Sequence, residues 1–231
     1  KNIIHLILNT TQTILENAKQ SILSQSESIQ KLTNYLTEDF AKTVQLIFES
    51  KGRLVVTGIG KSAIIAQKIV ATLNSTGTPS IFLHAAEAIH GDLGMIQSGD
   101  LVLCISKSGN SPEIKVLAPI IKNFGTTLNG LTANPTSYLA TSSDLVLLAH
   151  VDEESCPLGL APTNSTTAQL VLGDAIAVCL MKLRNFQAED FAKYHPGGAL
   201  GKKLLLRVKD MLDNTHAPQV APNASIKKVI M

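Results

Sequence analysis

Between residues 53 and 150 the chain carries five short apolar runs, which helix-like segments or polar loops separate. The runs are RLVVTG, PSIFLH, DLVLCIS, TTLNGLTA and SDLVLLAH. Their Val, Leu and Ile residues are nearly continuous, as in strands that are buried on both faces. Because strands that interleave with helices form a parallel sheet between helical layers, we predict an α/β fold with a five-stranded parallel sheet flanked by helices.

Helical patterns precede and follow this region. Residues 10–50 predict a helical N-terminal segment, with one helix over Thr13 to Ser24 and an end at Gly52. An apolar stripe with spacings of three and four comprises Ile29, Leu32, Leu36, Phe40, Val44 and Ile47. Residues 163–184 predict a long helix with hydroxyl residues at its start. It is apolar on most of its surface, so we expect it to be deeply buried.

The composition argues against several classes of protein. Of the 231 residues 45% are hydrophobic, which predicts a buried core. The net charge is only +2, and no basic block is present. Aromatic residues make up 4% and Trp is absent, so we expect no nucleic-acid partner. No apolar run reaches the length of about 18 residues that a membrane span needs, so we expect no membrane partner. Cys104, Cys156 and Cys179 form no CxxC pair, which argues against a disulfide framework and favours a reducing compartment.

The first candidate binding segment is TGIGKSA, which follows the first predicted strand. In an open parallel sheet, ligands bind outside the carboxyl ends of the strands. Gly58 and Gly60 allow a close backbone approach, and Lys61 and Ser62 open a helix whose N-terminus favours an anion. The segment lacks the spacing of a P-loop and the third glycine of a dinucleotide fingerprint. A strand-to-helix turn that simply needs glycine is the alternative.

The second candidate segment is SKSGNSPEI, which follows the third predicted strand. Ser106, Ser108 and Ser111 offer hydroxyl groups, and the backbone N–H groups of the turn together with the next helix dipole suit a phosphate. For each serine alone, capping of a helix with Pro112 in its first turn is an equal alternative. Two such turns after two strands of one sheet favour anion binding.

The third candidate segment is the loop from His84 to Ile96, which mixes Glu87, His90 and Asp92 with glycines. Its position after a strand makes His90 a candidate site residue. Metal binding by His84 and His90 is only weakly supported, because no matching Cys or His residues lie nearby, and we predict no metal.

Two later segments add further candidates. Glu153 and Glu154 lie in a loop rich in Pro and Gly that leads into the buried helix. His195 precedes Pro196 and two glycines, which restricts it to extended geometry. A simple helix terminator is the alternative at His195.

Together these segments resemble the sugar isomerase (SIS) domain of the arabinose-5-phosphate isomerases, from about residue 40 to residue 212. The motifs CPLGLAPTNSTT and HPGGALG are the most specific, and HGDLGM, GDAIAVCLM and AEDFAKYHPGGALGKKLL support them. The resemblance implies the flavodoxin-like SIS fold over residues 1–206, with N-terminal helices over 1–50. It also implies that residues 207–231 are a linker and the start of a truncated CBS-like module.

The resemblance implies an enzyme that interconverts D-arabinose 5-phosphate and D-ribulose 5-phosphate through an enediolate and supplies the eight-carbon sugar Kdo. Such enzymes are cytoplasmic homotetramers whose sites are shared between subunits, and they need no cofactor. Two alternatives stay open. A regulator with this domain binds a sugar phosphate without converting it, and a related isomerase acts on another phosphosugar.

The family's functional positions map onto ten residues of this sequence. The implied catalytic residues are Lys61, His90, Glu113, Glu154 and His195. The implied substrate-binding residues are Gly60, Ser62, Ser106, Ser108 and Ser111. We expect Glu154 to be the base at carbon, with a pKa that burial raises, although either glutamate could take this role. Family members often read SNSGESSE where this chain reads SKSGNSPE. We expect Lys107 to point into solvent, and contact with the phosphate is the alternative.

Overall fold

A parallel sheet forms the centre of the larger part of the chain in the structure, a computed structural model that describes residues 2–205, 207 and 220–227. Its strands are β1 (Leu54–Gly58), β2 (Ser80–His84), β3 (Leu101–Ile105), β4 (Leu128–Thr132) and β5 (Leu145–Leu148). Their order is β2-β1-β3-β4-β5, and every neighbouring pair is parallel. The predicted five-stranded parallel α/β fold is therefore confirmed.

Helices cover both faces of this sheet. The helices of the described chain are α1 (Asn2–Lys31), α2 (Glu38–Glu49), α3 (Lys61–Ser75), α4 (Ala85–Ala88), α5 (Pro112–Asn123), α6 (Tyr138–Ser142), α7 (Asn164–Leu183), α8 (Ala188–Tyr194) and α9 (Ala199–Leu205), with 3-10 turns at Leu32–Tyr35 and Asp92–Met95, and those that cover the sheet lie among α1 to α7. The predicted helix Thr13–Ser24 is part of the longer α1, and the predicted late helix is α7. The loop expected after β2 contains the single turn α4.

The core has two halves, one on each face of the sheet. Val56, Leu103 and Ile105 point to the face that α2, α3 and α7 cover. Val102 and Cys104 point to the face that α4, α5 and α6 cover. Successive residues of a strand point to opposite faces, so continuous apolar strands serve both halves. Each large side chain buried in this way contributes about 1.5–3 kcal/mol to folding.

Helices α3 and α7 approach each other closely at Gly173. A Cβ atom there would lie 2.3 Å from Cδ1 of Ile69, so any larger residue would require the Ile69 side chain or one of the helices to shift. This contact joins the middle of α3 to the middle of α7, and the hydrogen bond from Ser62 to Gln169 joins the first turn of α3 to the first half of α7. Among the described residues α7 is also the one helix long and apolar enough to cross a membrane, and Leu172, Ile176 and Leu180 are buried in the core.

The chain divides into two compact units, residues 1–186 and 187–231. The sheet and helices α1 to α7 belong to the first unit, and α8 and α9 belong to the second. Most of the predicted linker and module start, 207–231, lies outside the described residues. The domain boundary at residue 206 therefore stays a prediction.

Candidate active site

The turns after β1 and β3 leave the sheet side by side. Gly58 of β1 pairs with Ile105 of β3 in a parallel register, and adjacent strands lie about 4.8 Å apart. From β1 the chain moves to β2 on one side and then returns to β3 on the other. This reversal is the topological switch point at which open α/β sheets bind ligands. The two predicted phosphate segments therefore follow neighbouring strands at this switch point.

The turn after β1 presents uncapped backbone at the start of α3. Gly60 has φ +58°, a backbone conformation that favours glycine, and no atom lies within 4 Å of the position of a Cβ there. No side chain caps the first N–H groups of α3, which leaves them available to an anion. The exposed Lys61 makes no ion pair with any described residue. The Ser62 hydroxyl donates to Oε1 of the buried Gln169 at 3.2 Å.

The turn after β3 forms a loop that the serines shape. The Ser106 hydroxyl accepts a hydrogen bond from the Gly109 N–H at 3.1 Å, and the Ser108 hydroxyl accepts one from Asn110 N–H at 3.2 Å. Gly109 has φ +64°, and a Cβ atom there would lie 2.2 Å from Oγ of Ser137. The loop conformation therefore requires glycine at this position.

Ser111 has a buried hydroxyl oxygen with no hydrogen-bond partner among the described residues. It occupies the N-cap position of α5 but makes no capping hydrogen bond. Simple helix capping therefore does not account for this serine. A buried hydroxyl without a partner costs about 1–3 kcal/mol, and a bound oxyanion would satisfy it.

Glu113 and His90 lie in the connections that follow β3 and β2. Glu113 is half-buried in the first turn of α5, and no described residue donates to its carboxylate. His90 is exposed, and its backbone N–H donates to the carbonyl of Glu87 at 2.9 Å. Both residues stay predicted members of the site.

The Glu154 carboxylate is buried and surrounded by hydrogen-bond donors. Its Oε1 accepts from the Lys107 ammonium at 2.6 Å and from the Ser165 hydroxyl. Its Oε2 accepts from the Thr163 N–H at 2.7 Å, the Thr163 hydroxyl at 3.0 Å and the Ser165 N–H at 3.2 Å. Glu154 thus fixes the loop before α7 onto the first turn of that helix.

These contacts reverse the expected pKa shift of Glu154. Burial raises the pKa of this carboxyl, but the bonds from Lys107, Ser165 and the Thr163 backbone lower it more, to about 2. The prediction of a raised pKa is therefore wrong, because charge-assisted hydrogen bonds stabilise the ionised form more than burial destabilises it. Glu154 is a carboxylate throughout the physiological range.

The prediction that Lys107 points into solvent is also wrong. Its ammonium lies 2.6 Å from Oε1 of Glu154, and the ion pair joins the serine loop to the loop before α7. The two residues are 47 positions apart in the sequence, so their contact depends on the fold.

Helix α1 forms hydrogen bonds with a residue of the loop that carries Glu154 and with a residue at the start of α7. The Asn164 amide donates to the hydroxyls of Ser24 and Ser28 at 2.8 and 3.0 Å. Ser21 contacts Ser155 through their hydroxyls at 3.1 Å. The C-terminal half of α1 therefore bonds directly to the residues that flank the carboxylate.

His195 belongs to the second unit and lies at the C-cap of α8. Its ring stacks on Phe191 with 3.8 Å between centroids, and its Nδ1 donates to the Phe191 carbonyl at 2.9 Å. A Cβ atom at Gly201 would lie 2.0 Å from the His195 carbonyl oxygen, which explains a glycine there. The role of His195 in the site stays a prediction.

No group of three or more His, Cys, Asp or Glu side chains in the described parts of the chain could hold a metal ion. His84 has a buried Nδ1 without a hydrogen-bond partner there, but His90 is exposed.

Comparison with known proteins places the chain in a family. The SIS domain family model matches residues 46–179. The arabinose 5-phosphate isomerase KdsD of Pseudomonas aeruginosa is 47% identical over 227 residues, which cover 97% of this chain and 70% of that protein. The chain belongs to the SIS-domain family of arabinose 5-phosphate isomerases.

Two further relatives of this SIS protein are informative. The arabinose 5-phosphate isomerase KdsD of Yersinia pestis is 49% identical over 214 residues, which cover 92% of this chain and 65% of that protein. The chain thus spans about two thirds of the length of these curated relatives. A solved structure of an Escherichia coli CFT073 protein in complex with arabinose 5-phosphate has a TM-score of 0.77 and 39% identity, and the match covers 80% of this chain and 98% of that one.

Reading the sequence alone missed several residues that shape this site in the SIS domain. Thr163 and Ser165 surround Glu154, and Gln169 holds Ser62. The hydroxyl residues at the start of α7 were a visible signal, but they predicted a helix cap and not the donors of a carboxylate. Nothing in the sequence pattern pointed to Gln169.

Proposed function

We propose that this SIS protein is an aldose–ketose isomerase that interconverts D-arabinose 5-phosphate and D-ribulose 5-phosphate. One observation carries the proposal. In the part of the chain that the structure describes, the turns after β1 and β3 leave neighbouring strands at the switch point of the sheet and carry the unpaired Lys61 ammonium and the unpartnered Ser111 hydroxyl, and Lys107 of the second turn pairs with Glu154. The relatives named arabinose 5-phosphate isomerase support the same substrate.

The phosphate of the sugar would bind to the two turns. Ser111 has a free hydroxyl to donate, and the N-termini of α3 and α5 carry no side-chain cap. Helix N-termini favour a phosphate through free N–H groups and through the helix dipole. Ser106 and Ser108 use their hydroxyl oxygens as acceptors within the loop, so their own hydroxyl protons stay available to the ligand.

The reaction moves a proton between two neighbouring carbons. A base removes the C2 proton of the open aldose, and the electrons form the C1–C2 double bond of an enediolate as the C1 carbonyl π electrons move onto O1. The proton then returns to C1, while O1 gains a proton and O2 loses its own to become the ketone carbonyl. We assign the base to Glu154 and keep Glu113 as the alternative, since no described donor holds its carboxylate. Lys61 stabilises the enediolate charge or the phosphate. His195 and His90 assist ring opening and proton movement between the sugar oxygens.

The proposed activity is tested by incubating the protein with arabinose 5-phosphate under a chelator and following ribulose 5-phosphate. We expect turnover with the five-carbon phosphate and much weaker turnover with six- and seven-carbon phosphates. Preference for a longer sugar would make the protein an isomerase of another phosphosugar. Binding without turnover would support the sensor alternative.

We propose that the enzyme assembles as a homotetramer whose sites are shared between subunits, and that α1 forms part of the interface. Ile14, Leu15, Ile22 and Leu23 of this helix are 60%, 65%, 67% and 51% exposed. Residues 10–20 of α1 are exposed throughout, so this end of the helix has no cover within the first unit. An apolar helix surface of this kind marks an association site.

The paired substitution Ile14→Asp and Ile22→Asp is expected to lower the oligomeric state. Two charges in a buried apolar interface would be desolvated without partners, which costs several kcal/mol. Light scattering after size exclusion measures the mass, and Asn17→Asp on the same exposed stretch is the matched control. An unchanged mass in the double variant would remove α1 from the interface.

The biological setting follows from the same proposal. An arabinose 5-phosphate isomerase would supply Kdo synthesis, and its substrates are cytoplasmic sugar phosphates. We further propose that residues 207–231 open a CBS-like module. The shift in composition after residue 206 supports this proposal, and about a third of each matched relative lies outside the matched span.

A further inference from the structure

The pair of Lys107 and Glu154 links the two loops of the proposed site. Lys107 lies between Ser106 and Ser108 in the serine loop, and Glu154 lies in the loop before α7. The ammonium nitrogen is 2.6 Å from Oε1, which is the distance of a charge-assisted hydrogen bond. The Glu154 side chain is 2% exposed, whereas that of Lys107 is 44% exposed.

Lys107 approaches the carboxylate from a fixed backbone. Its carbonyl oxygen accepts from the Ala133 N–H at 3.0 Å and from the Thr132 hydroxyl at 3.1 Å. Thr132 is the last residue of β4, and Ala133 follows it directly. Strand β4 lies next to β3 in the sheet. The position of the lysine stem therefore derives from the sheet, and only its four-carbon side chain can move.

Among the described side chains of the first unit, Lys107 is the one basic group that pairs with Glu154. The nearest acidic neighbours in the same loop are Asp152 and Glu153. Asp152 is engaged by Lys31 of α1 at 2.7 Å and by His150 Nε2 at 3.4 Å, and Glu153 is exposed. From α7 the carboxylate meets only neutral donors, those of Thr163 and Ser165.

We infer that Lys107 is a positioning residue of the isomerase site, whose ammonium fixes the Glu154 carboxylate in place and joins the serine loop and the Glu154 loop into one unit. The inference rests on the proposed function. It gives a role to a residue that departs from the SNSGESSE pattern. It also separates Lys107 from Lys61, which has no carboxylate partner in the described part of the chain.

Removing the ammonium has a defined consequence for the carboxylate. Burial without a nearby cation favours the protonated acid, so the pKa of Glu154 must rise. Oε1 also keeps only one of its two donors, the Ser165 hydroxyl, and the carboxylate gains freedom to turn. A phosphate ligand at this position would behave differently, because its loss would weaken substrate binding and leave Glu154 unchanged.

The test uses the variants Lys107→Met, Lys107→Gln and Lys107→Arg, with Lys115→Met as the matched control. Lys115 lies on α5, is exposed and has no ion pair in the described part of the chain. Carbon-13 NMR of glutamate-labelled protein follows the titration of the Glu154 carboxyl carbon, and Glu154→Gln identifies its signal. Steady-state assays with arabinose 5-phosphate give kcat and KM.

We expect the titration midpoint of Glu154 to rise by about one pH unit or more in the Met and Gln variants. It should stay within about half a unit of the wild type in Lys107→Arg and Lys115→Met, which keep a cation at residue 107. We also expect kcat to fall about tenfold in Lys107→Met with KM within about twofold, since a misplaced base slows the chemical step. Lys107→Gln keeps a hydrogen-bond donor at residue 107. It allows the effect of removing the charge to be measured even where Lys107→Met does not fold.

Three results would overturn the inference. The first is an unmoved midpoint in both charge-removing variants. The second is a raised midpoint with wild-type kcat, because the place of the carboxylate would then not depend on the lysine. The third is a KM about tenfold higher with midpoint and kcat unchanged, which would make Lys107 a phosphate ligand. A wild-type protein inactive on every sugar phosphate would refute the proposed function, and the midpoint would then decide the role of Lys107 alone.

Discussion

Glu154→Gln is expected to abolish the exchange of the substrate C2 proton with solvent and to lower kcat by about 10²–10⁴-fold, the usual range for loss of a positioned base. The amide has the shape of the carboxylate but cannot accept a proton. Sugar-phosphate binding should be largely retained, because the proposed phosphate contacts come from the turns after β1 and β3. Exchange is measured by NMR in deuterated water with arabinose 5-phosphate.

Two further variants make this experiment decisive. Glu153→Gln removes the neighbouring exposed carboxylate and should behave as the wild type. Glu113→Gln tests the alternative base. Wild-type exchange in Glu154→Gln together with lost exchange in Glu113→Gln would transfer the role to α5, where no described residue donates to the Glu113 carboxylate.

Ser111→Ala should weaken sugar-phosphate binding about tenfold or more without destabilising the free protein. A hydrogen bond to a charged group is worth about 1.5–3 kcal/mol, and the Ser111 hydroxyl has no other partner to lose among the described residues. Removing a buried unsatisfied hydroxyl should leave the melting temperature equal or slightly higher. Calorimetric titration with the sugar phosphate and thermal unfolding measure the two effects.

Ser106→Ala is the matched comparison for this prediction. The Ser106 hydroxyl accepts from the Gly109 N–H, so its removal should lower the melting temperature as well as the affinity. Equal stability losses in both serine variants would contradict the structure of the loop. Unchanged affinity in Ser111→Ala would exclude its hydroxyl from the phosphate contacts.

The sheet could be predicted from the sequence because both of its faces are covered. Continuous apolar runs such as Leu101 to Ile105 have one simple explanation, a strand between two helical layers. Asn129 shows the limit of this pattern, since it is fully buried in β4. Its amide donates to the Val102 carbonyl at 3.1 Å and its Oδ1 accepts from the Thr43 hydroxyl at 3.1 Å. The partners of Asn129 are distant in the sequence, so only the folded structure identifies them.

The site was less predictable because its electrostatics arise between distant segments. The sequence places Glu154 in a loop before a buried helix, from which a raised pKa followed. The opposite shift comes from Lys107 and from donors at the start of α7. Their approach depends on the register of β3 and β4 and on the path of the loop, neither of which a local pattern contains.

Helix α1 joins an apolar surface near Ile14 and Ile22 to the serines that hold Asn164. Inserting one residue between these two regions would rotate one end about 100° relative to the other. The apolar side chains and the serines could not then both reach their partners. The proposed interface therefore requires a fixed number of residues between Ile14 and Ser28, whereas surface loops elsewhere in the fold can lengthen or shorten.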